Sequence, residues 1–351
     1  MTGHDIFMQR CLELSQNGLG KVAPNPLVGS VIVYKDTIIG EGFHHQYGGP
    51  HAEINALNSV MNKEMLAEST LYVNLEPCCH HGKTPPCTDR IISEGIKKVV
   101  IGMKDPFQKV AGKGIRALQD AGIEVESGIL ENECQRLNRR FVRFHESSRP
   151  YIILKWAQTL DGLIDKERVN DEPEINWITD EKTRILVHKW RTEEQAVMIG
   201  GSTARKDNPS LTARDWQGRN PVRIIIDHTG NLDTGLHVFN EEADSLVFSS
   251  AEKVFCKRTR TILTDFSTNA LPFIFRKLFD ENIQSVIIEG GRQLLQTVIE
   301  SGCWDEARIF TGNRYFFKGV EAPKISGKEC SIEHIGEDML TTLINDRIFD
   351  F

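Results

Sequence analysis

The chain has 351 residues, about twice a typical domain, with 40% hydrophobic and 26% charged residues, so two ordinary globular domains are expected. No apolar run reaches the roughly 18 residues a membrane span needs, and Met1-Thr2-Gly3-His4-Asp5 is no secretory leader, which predicts a cytoplasmic protein that ignores membranes. The formal charge is −7, and residues 1–148 carry 16 Lys and Arg against 17 Asp and Glu, a balance that argues against nucleic acid as substrate or partner.

In chain order, Phe7, Cys11 and Leu14 at helical spacing predict an opening helix over 5–17, closed by Gly18 and Gly20. Pro24-Asn25-Pro26 is a stiff turn, so Asn25 sits on a fixed loop and by itself needs no function. Val28–Tyr34 and Thr37–Phe43 read as a hairpin around Lys35-Asp36. His51 and Glu53 open a helix after Gly48-Gly49-Pro50, Thr70–Leu75 is a strand, and a helix from about Pro86 to Glu94 carries Cys87 in its first turn. A strand at Lys97–Ile101, a helix from 114, a short strand near Ile123–Val125 and one charged helix from Glu131 to His145 complete this half.

Seven of the eleven histidines and five of the eight cysteines fall in the first 148 residues, and in a cytoplasmic chain such cysteines are thiols or ligands. His51-Ala52-Glu53 followed by Pro77-Cys78 and Cys87 reads as a zinc site: one imidazole and two thiolates hold the ion, and an open fourth position takes a water whose pKa falls to about 7. His-x-Glu followed by Pro-Cys-x-x-Cys is the pattern of zinc base deaminases, whose Glu moves protons and is not a ligand. Here nine positions separate the two cysteines, so a loop replaces the usual helical turn. A closed zinc clip that only holds the fold is the rival, since Cys79, His80 or His81 could supply a fourth ligand; Glu53 and the polar Lys83-Thr84 favour catalysis. His44 and His45, taken alone, are ordinary loop residues.

Glu146-Ser147-Ser148-Arg149-Pro150 predicts a boundary at about 147, giving domains 1–147 and 148–351. Beyond it, β-rich runs at 151–156, 196–199, 222–226, 245–248, 285–288 and 307–311 alternate with helical stretches at 180–191 and 291–301, an α/β architecture with a largely parallel sheet. No Gly-x-Gly-x-x-Gly follows any of these strands, which argues against a classical dinucleotide-binding unit. Gly200-Gly201-Ser202-Thr203 and Glu289-Gly290-Gly291-Arg292 are glycine turns after strands; each is either a plain chain reversal or, for the second, a phosphate-holding helix start.

Pro24-Asn25-Pro26-x-Val28-Gly29, Pro50-His51-Ala52-Glu53 and Glu76-Pro77-Cys78-x-His80-x-Gly82-x-Thr84-Pro85-Pro86-Cys87 resemble the deaminase domain of the bifunctional riboflavin-biosynthesis deaminase–reductase family. Lys155-x-Ala157-x-x-Leu160-Asp161-Gly162, Trp177-Ile178-Thr179, His188-x-x-Arg191, Asp207-Asn208-Pro209-x-Leu211-Thr212-x-Arg214 and Glu289-Gly290-Gly291 are similar to its reductase domain. The resemblance implies a cytidine-deaminase-like three-layer α/β/α domain followed by a dihydrofolate-reductase-like α/β domain. It implies zinc on His51, Cys78 and Cys87, with Glu53 catalytic. It places Asn25, His44, His80, Lys83, Thr84 and Asp105 on a phosphorylated diaminopyrimidine. In the second domain it puts Ala157, Trp177, Thr203, Asp207 and the turn from Gly291 on NADPH, and Arg191, Leu211, Arg214 and Glu289 on the substrate. Phe107, Ile175 and Gln195 depart from the family pattern. From the residues alone, a nucleoside or tRNA deaminase with a binding appendage and a zinc-stapled interaction module are the rival functions, and homo-oligomerisation stays open.

Overall fold

The computed structural model describes residues 3–80, 85–107, 110–167 and 175–346. The chain divides into two units, Met1–Ser148 and Arg149–Phe351.

The first unit contains α1 (Gly3–Gln16), β1 (Gly29–Tyr34), β2 (Thr37–Phe43), α2 (Ala52–Ser59), β3 (Thr70–Leu75), α3 (Cys87–Ser93), β4 (Lys98–Met103), α4 (Lys113–Asp120), β5 (Glu124–Ser127), α5 (Glu131–Leu137) and α6 (Arg139–Ser147). Its sheet runs β2-β1-β3-β4-β5; β1 is antiparallel to both neighbours, and β3, β4 and β5 are parallel. Both residues of the expected hairpin turn lie in the left-handed region, Lys35 at φ 47° and Asp36 at φ 59°, which matches the twist of the flanking strands. Strand alternation makes three layers. Val31, Val33, Tyr72 and Val100 meet Met8, Cys11, Cys134 and Phe141 on one face, while Ile32, Leu71, Val73 and Val99 meet Ala56, Leu57, Ile91 and Leu118 on the other. Glycine in β2 lets α2 approach closely: a Cβ on Gly42 would come within 2.3 Å of the Ala56 nitrogen. The start of α2 is thereby fixed over the sheet.

The single helix expected over Glu131–His145 is two helices, α5 and α6, broken at Asn138. The cause lies far away in sequence. The Asn138 side chain accepts from the Leu27 N–H (2.8 Å) and donates to the Leu27 carbonyl (3.0 Å), a pairing that local periodicity does not report.

The second unit contains β6 (Tyr151–Thr159), β7 (Leu163–Lys166), α7 (Glu181–Glu193), β8 (Ala196–Gly200), α8 (Gly201–Asp207), β9 (Val222–Asp227), β10 (Ser245–Ser249), β11 (Thr259–Leu263), α9 (Leu271–Asp280), β12 (Ser285–Ile288), α10 (Arg292–Ser301), β13 (Glu306–Gly312), β14 (Gly319–Glu321), β15 (Lys328–Ile335) and β16 (Asp338–Ile344). The main sheet is ordered β11-β10-β9-β8-β12-β6-β13-β16-β15, parallel through β13, as the β-rich runs predict for every parallel strand but β11, which no run marked. The antiparallel pair β16 and β15 extends it beyond the elements legible in the sequence. Ile152, Leu154, Met198, Val286 and Ile288 pack under α9 and α10, and Val197, Ile199, Ile225 and Val247 line the opposite face. Asp338, at the start of β16, accepts from the Asp180 N–H (2.8 Å) and the Thr183 hydroxyl (2.7 Å), so the C-terminal hairpin grips the beginning of α7.

Candidate functional site

The first site is assembled from three element ends. His51 caps α2 with extended backbone (ψ 165°), Cys78 follows β3, and Cys87 is the first residue of α3. His51 Nδ1 lies 3.3 Å from Cys87 Sγ and 3.5 Å from Cys78 Sγ, and the three ligand atoms all fall within 4.8 Å of one another. Zinc bonded at about 2.3 Å to sulfur and about 2.0 Å to nitrogen with tetrahedral angles sets those atoms about 3.5 Å apart, so the donor set fits that ion. The contact between the two sulfurs is the largest cause that holds Cys78 low, at about 4, and drives Cys87 up. His51 is raised, chiefly by its contact with Cys78.

Glu53 stands one helical step inside α2 and is buried. Burial, then the Cys78 charge, push its carboxyl up to about 7. The buried His44 ring contacts His51 edge-on at 5.4 Å. Its Nδ1 donates to the Pro50 carbonyl (3.0 Å), which leaves Nε2 to accept from Asn25 Nδ2 (3.0 Å). His44 and Asn25, ordinary loop residues by spacing, are therefore linked to each other beside the metal ligands. Asp105 is buried and raised to about 7, first by burial and further by Glu76 and Cys78. His80 is exposed, and Lys83 and Thr84 lie outside the described residues.

The second cluster gathers around Glu289, which follows the carboxyl end of β12, with Lys155 from the middle of β6 and His188 and Arg191 from α7. Arg191 forks onto Glu289 (Nε–Oε1 2.9 Å, Nη2–Oε2 2.7 Å) and donates a third bond to the Thr212 carbonyl (3.0 Å). Lys155 Nζ lies 3.6 Å from Glu289, and His188 Nε2 lies 3.1 Å from Asp215. Burial alone raises a carboxyl, but Arg191 and Lys155 outweigh it and bring Glu289 down to about 2. Lys155 is lowered by burial despite that partner, and His188 falls to about 4 through burial and Arg191. Arg214 is exposed nearby in sequence, while Leu211 is buried with φ 54°, a conformation a leucine holds only under constraint.

Gly291 caps α10 at φ 52°, and a Cβ there would lie 2.9 Å from Thr203 Oγ1; one on Gly290 would lie 2.7 Å from the Ile199 Cα. Such bare backbone at a helix start suits a cofactor phosphate. Asp207 ends α8, Ala157 is half-buried on β6, and Trp177 is exposed with the Arg184 guanidinium 4.4 Å above its ring. Gln195, one of the departures, is used structurally: it donates to the Asn282 carbonyl and accepts from Gln284. Lys155 and His188, quoted in motifs without a role, belong to the buried cluster. A lone lysine in an otherwise apolar strand was the available signal.

Residues 1–103 match the family described as the cytidine and deoxycytidylate deaminase zinc-binding region, and residues 150–341 match the RibD C-terminal domain. The riboflavin biosynthesis protein RibD of Synechocystis is 40% identical, over 96% of this chain and 89% of that protein. The chain belongs to the RibD family. The RibD of Escherichia coli is 33% identical, over 97% of this chain and 99% of its own length. A crystal structure from Thermotoga maritima, described as a diaminohydroxyphosphoribosylaminopyrimidine deaminase/5-amino-6-(5-phosphoribosylamino)uracil reductase, superposes with a TM-score of 0.88 at 39% identity, covering 98% of this chain and 99% of that one. Acinetobacter baumannii RibD gives 0.86 at 31% identity, covering 97% and 98%. As a RibD family member the protein is a bifunctional enzyme of riboflavin biosynthesis with a deaminase and a reductase domain, built on the two folds the resemblance implied. Zinc and a nicotinamide cofactor follow from those domains. No helix among the described residues is long and apolar enough to cross a membrane.

Proposed function

We propose that the first domain, to about residue 147, deaminates 2,5-diamino-6-ribosylamino-4(3H)-pyrimidinone 5′-phosphate. The second, from about 148, then reduces the ribosyl group of the resulting 5-amino-6-(5-phosphoribosylamino)uracil with NADPH. The observation that carries this is the His51 imidazole facing both sulfurs at 3.3 and 3.5 Å with the buried Glu53 carboxyl beside them.

His51, Cys78 and Cys87 would hold zinc, which when bound would lower the pKa of a water to about 7. Glu53, buried beside the two sulfurs and not one of the ligands, takes a proton from water and delivers one to the departing ammonia. His44 fixes the Asn25 amide by accepting from its Nδ2, which turns Asn25 Oδ1 into an acceptor for the pyrimidine's N–H groups. Asp105 and His80 complete the ring contacts, and Lys83 with Thr84 suits the phosphate monoester.

In the second domain a bound NADPH would supply the hydride that reduces C1′ of the opened ribose. Ala157, Trp177, Thr203, Asp207 and Gly291 orient the cofactor. Glu289, kept ionised by Arg191, accepts hydrogen bonds from the substrate, Leu211 presses against it, and Arg214 takes the phosphate. The test is to supply the diaminopyrimidine phosphate to the purified chain with and without NADPH and weigh the products. Expected is exchange of one N–H for oxygen without NADPH, and two further hydrogens with it. An unchanged substrate in both reactions overturns the assignment.

A further inference from the structure

Glu76, part of the zinc motif, has no role in the chemistry above, yet it is 3% exposed and its two oxygens gather four backbone amides. Oε2 accepts from Asp105 (3.2 Å) and Gly112 (2.9 Å), and Oε1 from Gly114 (2.8 Å) and Ile115 (3.2 Å). The segment is pressed onto the metal strand itself: a Cβ on Gly114 would come within 2.1 Å of the Pro77 carbonyl oxygen. Two residues before Glu76, the fully buried Asn74 accepts from the Gly29 N–H (2.8 Å) and donates to the Leu27 carbonyl (2.9 Å). Asn74, inside β3, thus holds the segment that follows Asn25; Glu76, just past the strand's end, holds the segment that begins with Asp105; and Cys78, two residues on, joins His51 and Cys87.

We propose that Glu76, seconded by Asn74, is a positioning residue for deamination: it ties the substrate-contacting loops to the strand that delivers the zinc ligand, so pocket and metal keep one register. This rests on the deaminase reading above. The carboxylate touches neither metal nor substrate. It acts through backbone, and a misplacement of about 1 Å costs up to roughly 100-fold in such sites.

The experiment uses the full chain with Glu76→Gln, which puts an amide N–H₂ where the backbone donors converge, and Gly114→Ala, which keeps the carboxylate and displaces the same segment. Ammonia release, bound zinc, NADPH oxidation on the aminouracil phosphate and backbone amide exchange are measured. Expected is a fall in kcat for ammonia release, per bound zinc, of about tenfold to 100-fold, with KM for the diaminopyrimidine phosphate held within about threefold. Zinc content and NADPH oxidation stay at wild-type levels, and faster exchange is confined to residues 105–107 and 110–115. A merely structural role lowers thermal stability and leaves kcat per bound zinc alone. Unchanged kcat per bound zinc, or loss of zinc, overturns the proposal, and if Glu76→Gln does not fold, Gly114→Ala decides. A wild-type chain that releases no ammonia defeats the deaminase reading instead; the tie itself is then judged by amide exchange.

Discussion

Removing Arg191 leaves the buried Glu289 with Lys155 at 3.6 Å and the more distant His188 ring. Holding that carboxyl at about 2 when an unperturbed glutamate titrates near about 4.3 corresponds to about 3 kcal/mol in favour of the ionised form, at about 1.4 kcal/mol per tenfold. Breaking a buried pair on one side costs about 3–5 kcal/mol, so Arg191→Met is expected to destabilise the second unit by about 3 kcal/mol at pH 7. The sign follows from the depressed carboxyl: its contribution is complete above about 4.3 and is lost as pH falls toward about 2. Wild type and variant therefore converge in acid. Tryptophan fluorescence reports this unit selectively, because all five tryptophans, 156, 177, 190, 216 and 304, lie beyond residue 148. Urea unfolding followed at that wavelength gives the difference directly, and adding Glu289→Gln should recover part of it. A loss below about 1 kcal/mol at pH 7, the worth of an exposed pair, or a gap that widens on acidification, refutes the reasoning.

Glu53→Ala is expected to cut ammonia release by about 10²–10⁴-fold while metal analysis shows zinc retained and NADPH oxidation on the aminouracil phosphate continues. Chelation should abolish ammonia release and spare that oxidation, with activity returning on added zinc; oxidation lost in parallel contradicts the division of labour. Gly291→Ala places a side chain at φ 52° and 2.9 Å from Thr203 Oγ1; a rise of about tenfold in KM for NADPH, with unchanged ammonia release, is the expected kinetic reading.

Sequence patterns located elements whose reasons are local. The hairpin at Lys35-Asp36 and the helix starting after Pro50 follow from turn chemistry and periodicity, and so does the alternation that builds both sheets. The break at Asn138 was invisible because its cause is Leu27, more than a hundred residues earlier. The strands from Lys328 to Ile344 were missed for a related reason: β15 is an edge strand, largely exposed, without the apolar run that marked the interior strands. At the sites, residue type and spacing singled out His51, Cys78, Cys87 and Glu53. They did not reveal that Arg191 spends its guanidinium on Glu289, or that His44 and Asn25 share a hydrogen bond, since those facts depend on which loops become neighbours.

The strand order of the second sheet also dictates when it can close during synthesis. β6 is the first strand made in that unit, yet both its partners, β12 and β13, come from residues 285–312. The grip of Asp338 on α7 arrives later still. A ribosome that has released the first 148 residues has exposed everything the deaminase sheet requires, whereas the reductase must wait, its central strand unpartnered, until residues 285–312 have emerged as well.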